Sequence, residues 1–84
     1  MGKWLKSCTS GATYNLSSIY EIRWKENTST VAPARFELQI EGASINEIIF
    51  RCDTEREKDF VDKLIEDFIS STDKQFLKVA KSYS

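Results

Sequence analysis

The hydrophobic period of this chain changes once, near residue 52, and that change restricts its fold more than any other feature. Before it, apolar and polar residues alternate, and a period of two that is rich in aromatic and β-branched residues is typical of half-buried strands. After it, apolar residues recur as adjacent pairs every four positions, which predicts a helix with one broad apolar stripe. Its members are Phe60, Val61, Leu64, Ile65, Phe68 and Ile69.

The alternating part predicts four strands, at about 4–9, 18–26, 34–41 and 45–52. Ser10-Gly11-Ala12 predicts a turn after the first strand, and residues 27–33, which end at Pro33, predict a loop after the second. In the last three strands, we expect the even-numbered side chains to face the helix. These are Tyr20, Ile22, Trp24, Phe36, Leu38, Ile40, Ile48 and Phe50.

The turn at Gly42 sets the register of the last two strands. A two-residue loop of Gly42 and Ala43 would place Leu38 opposite Glu47 and bury an unpaired carboxylate, at a cost of roughly several kcal/mol. A three-residue loop through Ser44 instead pairs Leu38 with Ile48 and Phe36 with Phe50. We therefore expect the three-residue loop, which leaves Ile45 and Ile49 on the face away from the helix.

The helix is predicted over 55–70, because Thr54 and Glu57 form a capping box at its start. Residues 70–73 then interrupt the pattern, and we expect either a second short helix at about 73–81 or one bent helix. The predicted fold class is α+β: a four-stranded antiparallel β-meander over about 3–52, covered on one face by the helix. At 84 residues the chain is expected to form one domain.

A few motifs resemble those of small uncharacterised bacterial and phage-type proteins that have a β-meander and a C-terminal helix. They are a tryptophan in the first strand, the segment Tyr14-Asn15-Leu16-Ser17-Ser18-Ile19, and Asp53-Thr54-Glu55 before the helix. The resemblance spans residues 4–69 and implies the fold but no active residue. The strand order is also similar to that of pleckstrin-homology-like modules, although a full domain of that type needs more strands.

Composition argues against most catalytic chemistry. The chain has no histidine, which excludes imidazole metal sites and His-activated nucleophiles. It has no glycine-rich phosphate loop and no metal-spaced acid triad, so we expect no enzyme activity, no cofactor and no metal. Cys8 and Cys52 are either two small buried side chains or one disulfide, and their spacing leaves both open.

Residues 1–7 lack a continuous apolar region, and the longest aliphatic-aromatic run, Ile48-Ile49-Phe50, is too short to cross a bilayer. We therefore expect a cytoplasmic protein without membrane contact.

Two groups of residues on the open sheet face are candidates for function. Arg23, Lys25, Arg35 and Arg51 are expected to gather at one end and form an anion site, unless they are paired in a solvated polar face. Ile19, Ile45 and Ile49 are expected to form a patch covered by a partner, unless a loop or the C-terminal segment covers them.

These features predict a small non-catalytic interaction domain that self-associates, for instance as a homodimer, or binds a protein partner through the exposed sheet face or an edge strand. The alternative is a nucleic-acid or anion-binding module that uses the basic cluster, although a net charge of -1 gives weak support to duplex binding. The sheet aromatics Tyr20, Trp24, Phe36 and Phe50 are expected in the core rather than free to stack on bases.

Overall fold

Two small sheets and a helix surround the core of this α+β protein. The computed structural model describes residues 2–31 and 34–80. The described residues form β1 (Trp4–Lys6), β2 (Thr13–Asn15), a 3-10 turn (Leu16–Ser18), β3 (Ile19–Glu26), β4 (Phe36–Gly42), β5 (Ile45–Cys52), α1 (Glu55–Ser70) and β6 (Phe76–Lys78). The antiparallel sheet has the order β3-β4-β5, and the mixed sheet has the order β2-β1-β6.

The prediction of a single four-stranded meander is therefore wrong. The alternating segment that follows Gly11 divides between the two sheets, because β2 pairs with β1 and β3 pairs with β4. Asn15 marks the division: its Oδ1 accepts hydrogen bonds from the backbone N–H of Ser17 at 3.0 Å and from the Ser17 hydroxyl at 2.9 Å. Such local side-chain bonds compete with a strand ladder, and here they start the 3-10 turn that leads into the second sheet.

The predicted short helix at 73–81 is also wrong, although its last residue lies outside the described part. The hydroxyl of Ser71 accepts the backbone N–H groups of Asp73 and Lys74, which turns the chain away from α1. β6 then runs parallel to β1, with Gln75 accepting from the Trp4 N–H at 2.9 Å and Val79 donating to Lys6 at 3.3 Å. So short a segment is a poor helix in isolation, whereas strand pairing supplies partners for its backbone.

The register of β4 and β5 differs from the expected one in two ways. The loop is Ala43-Ser44, with Ser44 at φ 62, and a β-bulge at Ile49 shifts the pairing so that Leu38 faces Phe50 and Phe36 faces Cys52. The prediction that Glu47 faces away from the core is wrong. Its carboxylate lies opposite Ile40 and accepts hydrogen bonds from the hydroxyls of Tyr14 and Ser7. It is inward but paired, so it carries no large burial penalty.

A hydrophobic cluster joins both sheets and the helix into a common core. Its buried members are Leu5, Phe36, Leu38, Ile40, Ile49, Phe50, Cys52, Val61, Ile65 and Val79. The expected N-cap is confirmed, because the Thr54 hydroxyl accepts the N–H of Glu57 at 3.2 Å. At the other end of α1, the Lys3 ammonium donates to the carbonyls of Phe68, Ile69 and Ser71. A cation at this position is stabilising because the C-terminal end of the helix dipole is negative.

The two edges of the antiparallel sheet differ in how far other parts of the chain cover them. At the β5 edge, the Cys8 N–H donates to the Ile49 carbonyl at 3.1 Å and the Thr9 hydroxyl bonds the Ile48 carbonyl, so the chain after β1 covers part of this edge. Within residues 2–31 and 34–80, β3 pairs with β4 on one side and has no strand on the other. The antiparallel sheet therefore has one open edge of eight residues.

Candidate interaction surfaces

Three members of the predicted basic cluster lie on the face of the antiparallel sheet that points away from α1, interspersed with acidic residues: Arg23, Lys25 and Arg51. Arg35 precedes β4 and pairs with Glu55 at the start of α1. The predicted pairing of Phe36 with Phe50 would also set Arg35 opposite Arg51. That is wrong, because Glu37 in the central strand lies opposite both Arg51 and Lys25. The ion pairs are Arg51–Glu37 at 2.9 Å, Arg23–Glu41 at 2.8 Å, Arg23–Glu21 at 3.4 Å, Arg35–Glu26 at 3.7 Å and Arg35–Glu55 at 3.8 Å. Since these carboxylates would compete with an incoming anion, the arrangement favours the alternative of a solvated, ion-paired face.

Glu37 is the buried member of this face, with 7% of its surface exposed. Its Oε1 accepts from the Asn27 side-chain amide at 2.7 Å, and its Oε2 accepts from Arg51 Nε at 2.9 Å. The Asn27 hydrogen bond, followed by the bond and charge of Arg51, lowers the pKa of Glu37 although burial opposes the shift. The same Asn27 amide donates to the Ala34 carbonyl, so it links the residue that follows β3 to the segment that precedes β4.

The three isoleucines do not form the expected exposed patch. Ile49 is 0% exposed and lies in the core, while Ile19 and Ile45 are half-buried and pack against it. Two β-bulges explain this, because an extra residue reverses which side chains face inward. One bulge lies in β5 at Ile49 and the other in β3 at Tyr20. Between each bulge and the end of the strand that lies beside Gly42, odd-numbered side chains such as Ile19 and Ile45 face inward, whereas even-numbered ones do so in the rest of the strand.

Tyr20 is the most exposed aromatic residue described, at 77% of its surface. It stands beside a groove of about 370 Å³ between β3 and the end of α1, which is lined by Leu16, Ile19, Tyr20, Glu21, Ile22 and Ile69. Tyr20 was expected in the core, and that prediction is wrong because the bulge directs it outward. The open β3 edge and this groove are therefore adjacent.

A second exposed surface was missed by sequence reasoning. It is the outer face of the mixed sheet, where Trp4 and Phe76 are cross-strand neighbours, as are Lys6 and Lys78. The predicted helix at 73–81 concealed this surface, because a helix there does not pair Phe76 with Trp4. The distribution of charge was an available signal, since residues 1–20 and 74–84 contain five lysines and no acidic residue.

The polar residues between the two sheets form a structural network rather than a reactive one. Tyr14 donates its hydroxyl to Glu47, and this hydrogen bond, with burial and the nearby negative charge, raises the pKa of Tyr14. The phenol therefore stays protonated near neutral pH and acts as the donor in this hydrogen bond. Cys8 and Cys52 are not joined by a disulfide, and their thiols donate to the carbonyls of Ile49 and Thr54. Burial raises the pKa of Cys52, which disfavours the reactive thiolate.

In the part of the chain that the structure describes, no group of three or more His, Cys, Asp and Glu side chains is arranged to hold a metal ion. Within the same residues, no helix has the length and apolarity that a bilayer span requires. Comparisons with protein-family models, curated proteins and solved structures gave no match.

Proposed function

We propose that this chain is a non-catalytic, cytoplasmic interaction domain that self-associates through the open edge of β3. Two copies pair their β3 strands antiparallel about a two-fold axis and join their antiparallel sheets into one six-stranded sheet. The observation that carries the proposal is the eight-residue edge strand with a single neighbour among the described residues. The outward N–H and C=O groups of such an edge are a template for another strand.

The charges of β3 select one arrangement. Glu21, Arg23 and Lys25 follow one another, two positions apart, along the face of the strand that points away from α1. A two-fold axis at Arg23 places Glu21 of each copy opposite Lys25 of the other, which gives two favourable cross-strand pairs. Each such pair contributes roughly 0.2–1 kcal/mol, whereas like charges directly opposite each other are destabilising. The two Arg23 side chains meet at the axis, and each is already paired with its own Glu41 at 2.8 Å.

The same register suits the other face of the strand. Ile22 of one copy lies opposite Trp24 of the other, and both side chains are half-buried in the single chain. Pairing would cover more of their surface, and burial of apolar area is stabilising by about 25 cal/mol per Å². The bulge at Tyr20 ends the regular ladder, so the paired stretch centres on residues 21–25.

Charge reversal tests this symmetry directly. Glu21→Lys places lysines opposite each other, and Lys25→Glu places glutamates opposite each other, so each variant alone is expected to weaken the dimer. An equimolar mixture of the two is expected to associate as a heterodimer, because both cross-strand pairs are then of opposite sign. Sedimentation equilibrium measures the association, and circular dichroism checks that each variant is folded.

Lys63→Glu is the matched control for Lys25→Glu, since it replaces a lysine by a glutamate on the exposed surface of α1. A wild-type chain that stays monomeric at every accessible concentration contradicts the proposal. So does a dimer that the single variants leave intact, or a mixture that associates no better than its components.

A further inference from the structure

The outer face of the mixed sheet combines exposed aromatic rings with lysines. Parallel pairing of β1 and β6 puts Trp4 beside Phe76 and Lys6 beside Lys78, and antiparallel pairing with β2 extends the rows to Asn15 and Thr13. Leu5 and Leu77 point the other way, toward the core. Trp4 and Phe76 remain 44% and 55% exposed, although burial of aromatic rings is strongly favourable in a single domain.

Charge is distributed unevenly along the sequence. The segments that supply the mixed sheet, 1–20 and 74–84, contain five lysines and no acidic residue. Residues 21–73 contain seven basic and all thirteen acidic residues. The near-zero net charge therefore conceals basic and acidic segments of the sequence. β1, β2 and β6 themselves carry no carboxylate, and the sheet places Lys6 beside Lys78.

We propose that this face binds single-stranded nucleic acid. Trp4 and Phe76 stack on bases, and Lys6 and Lys78, in the next row along the strands, contact the phosphates. Aromatic side chains beside basic residues on an exposed sheet are the arrangement by which single strands are bound without strong sequence preference. Thr13 and Asn15 add hydrogen-bonding groups at the edge of the same face.

The chemistry distinguishes this ligand from duplex nucleic acid. In a duplex the bases are stacked on one another and their faces are closed to side chains, so Trp4 and Phe76 would contribute little. Two lysines on the face also provide few phosphate contacts, and duplex binding depends chiefly on such contacts. This surface is separate from the basic cluster of the antiparallel sheet, whose arginines are paired with carboxylates.

Fluorescence anisotropy with a labelled oligothymidine or oligouridine of about 12 nucleotides tests the proposal, since related binding sites cover roughly 4–16 nucleotides. We expect binding at about 20 mM salt. The logarithm of the association constant should then fall with the logarithm of the salt concentration, with a slope near -0.7 for each phosphate contacted. Trp4→Ala and Phe76→Ala are each expected to weaken binding by about fivefold or more, and Trp4→Phe to retain most of it.

Matched variants separate the face from general effects of sequence change. Phe60→Ala removes a ring of similar exposure, 51%, from α1 and is expected to leave binding unchanged. Lys6→Gln and Lys78→Gln are expected to reduce both the affinity and the salt slope, whereas Lys63→Gln on α1 is not. In a Trp24→Phe background, Trp4 is the remaining tryptophan, and its fluorescence is expected to be quenched by the oligonucleotide.

Several results would overturn the proposal. One is the absence of binding at about 20 mM salt. The others are equal affinity for a duplex of the same sequence and an affinity that Trp4→Ala and Phe76→Ala leave unchanged. Tighter binding to vesicles containing an anionic lipid would assign the face to a membrane surface instead. Glu21→Lys lies on the other sheet, so its effect on self-association and the effect of Trp4→Ala on oligonucleotide binding are separable.

Discussion

Replacement of Glu37 by glutamine tests how much a paired, buried carboxylate stabilises this small domain. Glu37→Gln preserves the size of the side chain but removes the charge that Asn27 and Arg51 bind at 2.7 and 2.9 Å. Hydrogen bonds to charged groups contribute about 1.5–3 kcal/mol and neutral ones about 0.5–1.5 kcal/mol. The Arg51 side chain is 42% exposed, so its part is discounted for solvent screening.

With that discount, we expect the free energy of unfolding at pH 7 to fall by about 2 kcal/mol in Glu37→Gln. The loss should depend on pH in a defined direction. The pKa of Glu37 is lowered from its ordinary value of 4.5, so between that value and the folded-state pKa the unfolded chain binds more protons. The stabilisation is therefore present above 4.5 and is lost as the pH falls through the folded-state pKa.

Urea unfolding of both proteins, followed by circular dichroism at pH 7 and near the acid limit of folding, measures this difference. Because both chains share their other carboxylates, those contributions largely cancel in the comparison. The gap is expected to shrink to below about 0.5 kcal/mol in acid, when wild-type Glu37 is neutral. Glu41→Gln is the matched control, since its ion pair with Arg23 is as short, at 2.8 Å, but more exposed. An equal gap at both pH values would refute the reasoning, as would an equally large effect of Glu41→Gln.

Two further substitutions test the fold. Leu5→Ala removes a side chain that is 1% exposed in the shared core, and we expect thermal or urea unfolding to show a loss of about 2–5 kcal/mol in one cooperative transition; two separate transitions would show that the mixed sheet folds independently. Gly42→Ala places a Cβ 2.0 Å from the Ser18 carbonyl oxygen, which is backbone and can move only with β3. We expect it to cost about 1–3 kcal/mol by overpacking, whereas Gly2→Ala, which meets only the Asn15 side chain, should have a much smaller effect.

Periodicity identified the parts of the fold that depend on local pattern. α1 was expected at 55–70 and lies at Glu55–Ser70, because its apolar stripe and its Thr54 cap are both local signals. The regular part of the second predicted strand, at 18–26, corresponds closely to β3. The inward orientation of Phe36, Leu38 and Ile40 also follows from alternation, and all three are buried.

The errors arose where pairing between distant segments decides the outcome. Strand parity holds only until a bulge, and nothing in the residues around Tyr20 or Ile49 signals one. The inward position of Glu47 depends on Tyr14, which is 33 residues away in the chain, so a rule against burying carboxylates gave the wrong register. Phe76 and Leu77 form a strand because β1 offers an edge, and that edge exists only once the rest of the domain has folded.

The parallel contact between β1 and β6 has a consequence for biosynthesis. Leu5 and Leu77 are neighbours across this contact although 72 positions separate them along the chain. During synthesis β1 is made before β6, so the side of β1 that pairs with β6 stays unpaired until β6 has been translated. The antiparallel sheet and α1 can form before that point, because all of their residues precede β6, whereas Trp4 and Leu5 gain their β6 neighbours only afterwards.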